Sequence, residues 1–144
     1  MDTQPVVIER YFNIPPSKLW QALTNNEHLK HWYFKLPEFN AVEGFKFSFM
    51  GGEPDDPKFL HLCEVTKVVE NRILSYTWRY DGLPGNSLVS WELFPENAGT
   101  RLRLTHSGLE TIAPAGPEFA RENFLGGWDY FVNEALASYF ETQN

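Results

Sequence analysis

The sequence predicts an α+β domain in which helices pack on one face of a curved antiparallel sheet. Hairpin-length turns separate five consecutive segments of β-type sequence, and strands joined by such turns pair as antiparallel neighbours. Near the C-terminus, apolar residues then recur at three- and four-residue steps, which is the spacing of one helix face. Helices layered on one face of a sheet are what this order of elements can build.

Local signals place the individual elements. Pro15 and Pro16 end the first strand because proline cannot donate to a ladder, and Pro16 suits the first turn of a helix. Thr24 and Glu27 match a capping box that starts a second short helix. The Gly/Pro-rich stretch 51–57 predicts a turn or mobile loop. The predicted strands cover 6–13, 45–49, 59–69, 73–80, 87–94 and 100–106, and the two short helices cover 16–23 and 25–32.

The last helix is predicted to begin between Pro117 and Gly127 and to run to about Glu141. Pro117 and Glu118 resemble a helix start, with proline near the first position and an acid in the first turn. Gly126 and Gly127 are unusual in a helix, where each costs about 1 kcal/mol relative to alanine. The pair would allow close approach to the sheet or a kink; alternatively, the helix starts only near Gly126.

Length and composition limit the class of protein. A chain of 144 residues is one domain, residues 1–144, by size. The single Cys63 cannot form an internal disulfide. The N-terminus lacks the basic and apolar regions of a signal peptide, and no apolar run reaches the ~20 residues of a membrane span. We therefore expect a soluble cytoplasmic protein.

Charge and aromatic content limit the partners. The net charge is −7, from 12 Lys and Arg against 19 Asp and Glu. This balance argues against nucleic acid, which is bound largely through phosphate neutralisation, and against docking on an anionic membrane. Aromatic residues make up 16% of the chain, so most of them must be buried or line a site.

Three stretches carry a family resemblance. Residues 7–32 contain a strand, a proline-led helix with Leu-Trp, then a threonine, an acidic helix start and a tryptophan. Residues 99–108, GTRLRLTHSG, form the last strand, and Gly127-Trp128 lies in the last helix. Together they resemble the activator-of-heat-shock-ATPase homologues of the START-like superfamily. The positions that carry the resemblance in the first stretch are Ile14, Pro16, Leu19, Trp20, Leu23, Thr24, Glu27, Leu29 and Trp32.

The resemblance implies a helix-grip fold, with an antiparallel sheet wrapped round a long C-terminal helix and a cavity between them. Members of the superfamily bind lipids, sterols, polyketides or other apolar molecules, and a few are cyclases or hydrolases. The family takes its name, and its link to the stress response, from chaperone activators. Those proteins carry a separate N-terminal domain. This sequence begins directly at the first strand, so we expect no such domain and disfavour chaperone activation.

No residue pattern indicates catalysis or a bound metal. There is no G-x-S-x-G and no Cys-His pattern, and Cys63, in mid-strand, is typical of a small buried hydrophobe. His28 and His31 lie one helical turn apart, which is half of a metal site; two surface histidines are the favoured interpretation. His61 sits in no informative pattern. We expect no catalytic residue, no metal and no cofactor.

His106 is the polar residue that we single out. It has the same strand parity as Leu102 and Leu104, so it faces the helix if they do. At the mouth of an apolar pocket it would orient a ligand or act as an acid or base. Alternatively, it is simply hydrogen-bonded at the end of the last strand, which is the favoured interpretation because buried polar groups normally find partners.

The predicted ligand site combines the more aromatic face of the strands with the apolar arc of the last helix. The strand members depend on register, because a slip of one residue reverses the face. The predicted ligand-binding residues are Phe47, Phe49, Tyr76, Trp78, Trp91, Leu104, His106, Phe124, Trp128 and Phe131.

Three functions fit these observations. The leading hypothesis is a small binding protein, a monomer or weak homodimer, that holds an apolar or aromatic molecule (lipid, polyketide or flavonoid-like) between sheet and last helix. The second is a chaperone-interacting module, and the third is a cyclase- or hydrolase-type enzyme using a pocket polar group. A cavity above about 300 Å³ would favour the first or third, and a filled interior would favour the second.

Overall fold

The computed structural model describes residues 4–34, 36–51 and 59–142. The turn predicted at 51–57 therefore lies, after Gly51, outside the described residues. The strands are β1 (Val6–Phe12), β2 (Lys46–Gly51), β3 (Phe59–Val69), β4 (Ile73–Tyr80), β5 (Ser87–Glu96) and β6 (Gly99–Ser107). The helices are α1 (Pro16–Thr24), α2 (Asn26–Trp32), α3 (Arg121–Tyr130) and α4 (Ala137–Thr142), with a π-helical segment, Phe131–Leu136, joining the last two. We name residues 121–142 the C-terminal helix.

The six strands form one antiparallel sheet in the order β1-β6-β5-β4-β3-β2. This confirms the predicted α+β class. β1 pairs with β6, the most distant strand in the sequence, and places Val6 opposite His106. A register shift between Val65 and Lys67 interrupts the β3–β4 ladder, and such a bulge increases the local twist and bends the strand.

Two asparagines make the hairpin turns that the sequence predicts around residues 70–71 and 95–99. Asn71 and Asn97 adopt left-handed backbone angles, with φ of 64° and 55°, and asparagine tolerates this region better than most residues. Gly99 follows the second turn, where an added Cβ would lie 2.3 Å from the carbonyl oxygen of Phe12. Only glycine allows β1 to end that close to the hairpin.

The first two helices begin close to where they were predicted, but the capping box is wrong. Asn25, not Thr24, precedes α2, and its side chain accepts a hydrogen bond of 2.9 Å from the backbone N–H of Glu27. Thr24 remains in the last turn of α1, where its hydroxyl donates to the carbonyl of Trp20 at 2.7 Å. Asparagine and threonine are both good N-cap residues, so the adjacent Thr24 and Asn25 were both candidates for the N-cap of α2.

The C-terminal helix begins at Arg121, inside the predicted interval but after the predicted proline start. Pro117–Phe119 forms a separate 3₁₀ turn, and Ala120 is extended, with ψ of 150°. Gly126 and Gly127 both lie inside α3, so a late helix start is wrong. A Cβ added to either glycine would meet nothing within 4 Å, so close approach to the sheet does not require them.

The core lies between the concave face of the sheet and the helices. The alternating residues Leu74, Tyr76, Trp78 and Tyr80 of β4 are all buried, as their pattern predicts. Polar residues occupy the opposite face, where Glu9 of β1 forms exposed ion pairs with arginines of β6. Among the described residues, no helix combines the length and hydropathy that a membrane span requires.

Candidate functional site

The ten residues of the predicted ligand site converge on the space between the sheet and the C-terminal helix. All seven strand members are buried on the inner face, so the alternation identified that face correctly. From the helix, Trp128 is buried, and Phe124 and Phe131 are half-buried. Whether these residues bind a ligand remains a prediction.

Two residues that sequence reasoning did not include fill this space. Tyr33 and Phe34 follow α2 in an irregular segment, and both insert between sheet and helix. The ring of Tyr33 lies nearly parallel to that of Trp128, with centroids 6.2 Å apart. The ring centroid of Phe34 lies 4.6 Å from that of Phe49 and 5.0 Å from that of Phe131. These two rings add to the direct contacts between sheet and helix, in which Trp128 meets Trp78 and Trp91 with centroids 5.4 and 5.7 Å apart.

The hydroxyl of Tyr33 reaches a polar group at the centre of the sheet. It lies 2.8 Å from the hydroxyl of Tyr76, which also accepts a hydrogen bond of 2.9 Å from the indole N–H of Trp91. Burial raises the pKa of Tyr33 well above its usual value, with a further contribution from Tyr76, and burial likewise raises the pKa of Tyr76. Both side chains are neutral phenols.

His106 lies inside the core rather than at the mouth of a pocket. Its Nδ1 accepts a hydrogen bond of 2.9 Å from the indole of Trp128, and its Nε2 lies 2.8 Å from the hydroxyl of Ser87. Ser87 itself donates to the carbonyl of Trp78 at 2.7 Å, so this network places the proton on Nε2. Burial lowers the pKa of His106 to about 3. The residue is a neutral, fully bonded core histidine.

His61 is a second buried histidine. It stacks on Phe49 with centroids 4.5 Å apart, and its Nδ1 donates to the carbonyl of Phe59 at 2.9 Å. Burial lowers its pKa to about 4. Strand parity with the buried Cys63 and Val65 could have identified this position from sequence. Burial also raises the pKa of the Cys63 thiol, which fits the predicted inert role.

A very small void lies between the sheet and the segments around α1 and α2. This internal void of about 10 Å³ lies beside Tyr33 and Tyr76, which is about the space of a single water. Three of the ten predicted residues, Phe47, Tyr76 and Trp91, line it. Around this void the interior is packed with side chains, Tyr33 and Tyr76 among them.

A much larger groove opens on the surface, between the end of α2 and the C-terminal helix. Its volume is about 730 Å³, within the range of about 300–1,000 Å³ that is typical of small-molecule sites. The π-helical segment contributes Phe131, Glu134 and Ala135 to its wall, and π-helical turns frequently occur at functional sites. The residues that line the groove are His31, Trp32, Tyr33, Tyr130, Phe131, Glu134, Ala135, Ser138 and Tyr139.

Trp32 and Tyr33 line both the groove and the internal void. A single aromatic layer therefore separates the surface from the interior. Trp32 is anchored, because it is buried and its indole donates to the carbonyl of Ala22 at 2.9 Å. The side chain of Tyr33 is held in the interior by ring contacts and by one hydrogen bond, to Tyr76.

His28 and His31 contact a tyrosine at one end of the groove. The Nδ1 of His28 lies 2.5 Å from the hydroxyl of Tyr139, and the ring of His31 stacks on that of Tyr139 with centroids 5.8 Å apart. Within the described part of the chain, no cluster of three or more His, Cys, Asp or Glu residues could hold a metal ion. The pair forms part of an aromatic surface.

The omission of Tyr33 and Phe34 from the sequence-based site has a clear origin. They belong to neither a periodic helix nor an alternating strand, and those periodicities were the basis for choosing inner-face residues. One signal was present, because Trp32, Tyr33 and Phe34 are three successive aromatics in a chain that must bury most of its aromatic residues.

Comparison with known proteins identifies the family. The sequence model described as activator of Hsp90 ATPase homolog 1-like protein matches residues 13–141. The chain belongs to this family. The match confirms the resemblance seen in the sequence, and the sheet and long C-terminal helix agree with the helix-grip fold of START-like proteins. A comparison with curated protein sequences finds no match.

Solved structures share the fold over nearly the whole chain. Protein MLL2253 from Mesorhizobium loti is 31% identical, with a TM-score of 0.80, and the match covers 98% of this chain and 99% of that one. Protein BH1534 from Bacillus halodurans is 30% identical, with a TM-score of 0.72 and coverage of 94% and 95%. DynU16, a protein of the dynemicin biosynthetic locus, is 23% identical with a TM-score of 0.79. This match covers 100% of this chain and 49% of DynU16.

Proposed function

We propose that this protein binds an apolar or aromatic small molecule in the surface groove and in the interior behind it. The groove of about 730 Å³, separated from the aromatic core only by Trp32 and Tyr33, is the observation that carries the proposal. The START-like fold supports it, since this architecture suits binding between sheet and helix.

Displacement of Tyr33 and Phe34 would convert the filled interior into a continuation of the groove. Both residues lie outside regular secondary structure, so moving their side chains breaks no strand ladder. The walls left behind would be aromatic, formed by Phe49, Trp91 and Trp128 among others. Lipid, polyketide and flavonoid-like molecules are the ligand classes with matching surfaces.

The polar side chains of the site are mostly uncharged. In the interior, displacement of Tyr33 would free the hydroxyl of Tyr76 for a hydrogen bond, whereas the indoles of Trp91 and Trp128 already donate to Tyr76 and His106. Glu134 is the one carboxylate among the residues lining the groove, and it is exposed. We therefore expect a ligand with one or two hydrogen-bonding groups, and an affinity that changes little with salt because no buried charge pair is involved.

Tryptophan fluorescence tests the proposal. The protein is titrated with a flat aromatic probe and with a fatty-acyl probe, and we expect saturable binding in the micromolar range. Phe131→Ala should weaken binding, because Phe131 lines the groove and contacts both Tyr33 and Phe34. Leu125→Ala, at a more exposed apolar residue of the C-terminal helix that lines neither cavity, is the control and should bind like the wild type.

The chaperone-interacting module is the second candidate, and the filled interior favours it. If neither probe binds, this second function replaces the first. The enzyme hypothesis has less support, because both ring nitrogens of His106, the polar residue on which it rested, are already bonded within the core.

A further inference from the structure

The side chain of Tyr33 indicates what kind of molecule the interior accepts. Its backbone is tied to the end of α2, where the N–H of Tyr33 donates to the carbonyl of Leu29 at 2.8 Å. Its side chain leaves the helix end and occupies the space between sheet and C-terminal helix. The phenol fills this space, and the groups around it define what a ring in that position would contact.

The space around the ring of Tyr33 is a slot for a flat aromatic group. The ring of Trp128 lies nearly parallel to that of Tyr33, at an interplanar angle of 19°. The ring of Trp91 contacts Tyr33 edge-on, at an interplanar angle of 80° and with centroids 6.3 Å apart. Phe131 forms a third side of the slot, with its ring centroid 5.1 Å from that of Tyr33. Parallel and edge-on contacts of this kind favour an aromatic ring over an aliphatic chain of similar volume.

The hydroxyl of Tyr76 forms the floor of the slot, and it requires a hydrogen-bonding partner there. An indole N–H can only donate, so the oxygen of Tyr76 accepts from Trp91, and its remaining capacity is directed at Tyr33. A molecule that displaced Tyr33 without replacing its hydroxyl would leave Tyr76 with an unmet buried group, which is costly. A phenol oxygen can donate or accept, so it suits Tyr76 in either orientation.

Charge at the floor is disfavoured. Burial raises the pKa of both Tyr33 and Tyr76, which means that the interior stabilises the neutral phenol over the phenolate. A carboxylate or sulfonate in the same place would lose its hydration without gaining a cationic partner from the residues that contact Tyr33.

We propose that the interior site takes a neutral hydroxy-substituted aromatic ring, which replaces Tyr33 against Tyr76 and lies in the slot formed by Trp91, Trp128 and Phe131. This inference rests on the proposed function, because it names the chemical class of the ligand for the same site. The ligand reaches the slot through the groove, and the Tyr33 side chain moves aside toward the surface.

Two probes of nearly the same shape test the inference: 2-naphthol, which carries a hydroxyl, and 2-methylnaphthalene, which does not. Affinities are measured by isothermal titration calorimetry with the full chain at neutral pH. We expect the wild type to bind 2-naphthol about tenfold more tightly, the effect of one satisfied buried hydrogen bond. Tyr76→Phe should reduce that preference to near parity, while Tyr11→Phe, which removes a tyrosine hydroxyl on the exposed side of β1, should preserve it.

Tyr33→Ala tests whether Tyr33 is an occupant or a part of the wall. If it is an occupant, both probes bind about tenfold more tightly than to the wild type, because no side chain has to be displaced. If Tyr33→Ala does not fold, Tyr33→Phe takes its place. This variant keeps the ring but loses the bond to Tyr76, and we expect tighter binding of 2-naphthol than in the wild type.

Each outcome has a definite meaning. Equal affinity of the wild type for both probes, or an unchanged preference in Tyr76→Phe, would overturn the phenol inference and leave small-molecule binding intact. Weaker binding to the Tyr33 variants would overturn the role of Tyr33 as an occupant. Failure of both probes with the wild type and with the Tyr33 variants would overturn the phenol inference, and failure of the fatty-acyl probe as well would refute the proposed function.

Discussion

The two buried histidines should make this protein sensitive to mild acid. Burial lowers the pKa of His106 to about 3 and that of His61 to about 4, from an ordinary value of 6.5. Both are neutral in the folded state, whereas the unfolded chain binds their protons below about pH 6.5. Stability from this source is therefore complete above pH 6.5 and is lost as the pH falls toward 4 and 3.

The magnitude follows from linkage. At pH 5 each histidine is about 1.5 pH units below its unfolded pKa and still above its folded pKa, so each reduces the free energy of unfolding by about 2 kcal/mol. Together they remove about 4 kcal/mol, a large part of the ~5–15 kcal/mol typical of a domain. The carboxylate of Glu9, whose pKa is lowered mainly by its hydrogen bond to Arg103, begins to lose its contribution only below this pH.

Urea unfolding followed by tryptophan fluorescence measures the effect at pH 8, 7, 6 and 5. Between pH 6 and 5 the free energy of unfolding should fall by about 2–3 kcal/mol, corresponding to nearly two protons taken up on unfolding. Repeating the series in about 0.5 M NaCl screens exposed charges and should leave the slope unchanged.

His61→Phe provides the internal check. The variant keeps a ring stacked on Phe49 but cannot titrate, so its loss of stability between pH 8 and 5 should be about half that of the wild type. A free energy of unfolding that changes by less than about 1 kcal/mol over this range would refute the reasoning, because it would mean that the histidines are protonated in the folded state or that they are not buried.

Three further predictions concern single residues. Trp128→Ala should cost about 3–5 kcal/mol, and Trp128→Phe about 1–3 kcal/mol because it leaves Nδ1 of His106 without its donor; equal stability of both variants with the wild type in urea melts would contradict the packing described. Gly126→Ala and Gly127→Ala should each stabilise the protein by about 0.5–1 kcal/mol, since a Cβ meets nothing there, and a lowered melting temperature would be the contrary result. Asn25→Ala should cost about 1 kcal/mol through loss of the α2 cap, and an unchanged urea midpoint would show that the cap contributes nothing.

The strand alternation and the helix spacing were sufficient to predict the fold. Burial on one face imposes a period of two on a strand and of about 3.6 on a helix, so the sequence pattern alone assigns Tyr76, Trp78 and Trp128 to the core. The order of elements and the hairpin turns then left an antiparallel sheet with a C-terminal helix as the consistent arrangement. These features are local, and each can be read within a short window of sequence.

Features that depend on distant segments could not be read in this way. The pairing of β1 with β6 joins the first strand to the last, and no local pattern encodes it. Thr24 and Asn25 are both suitable N-cap residues, so the sequence alone did not decide between them. The backbone geometry at the start of α2 places Asn25 at the cap. The environment of His106 also depends on distant segments, because its two hydrogen bonds are made with Ser87 of β5 and Trp128 of α3.

The site itself was decided by tertiary structure. Tyr33 and Phe34 have no periodic position, and only the folded chain shows that an irregular segment places them between the sheet and the C-terminal helix. The groove lies between the end of α2 and the C-terminal helix, and its lining residues come from these two parts of the chain, which are far apart in the sequence. Local sequence determined which surfaces are aromatic; the packing of distant elements determined whether those surfaces enclose a cavity, fill it with a tyrosine, or leave it open as a groove.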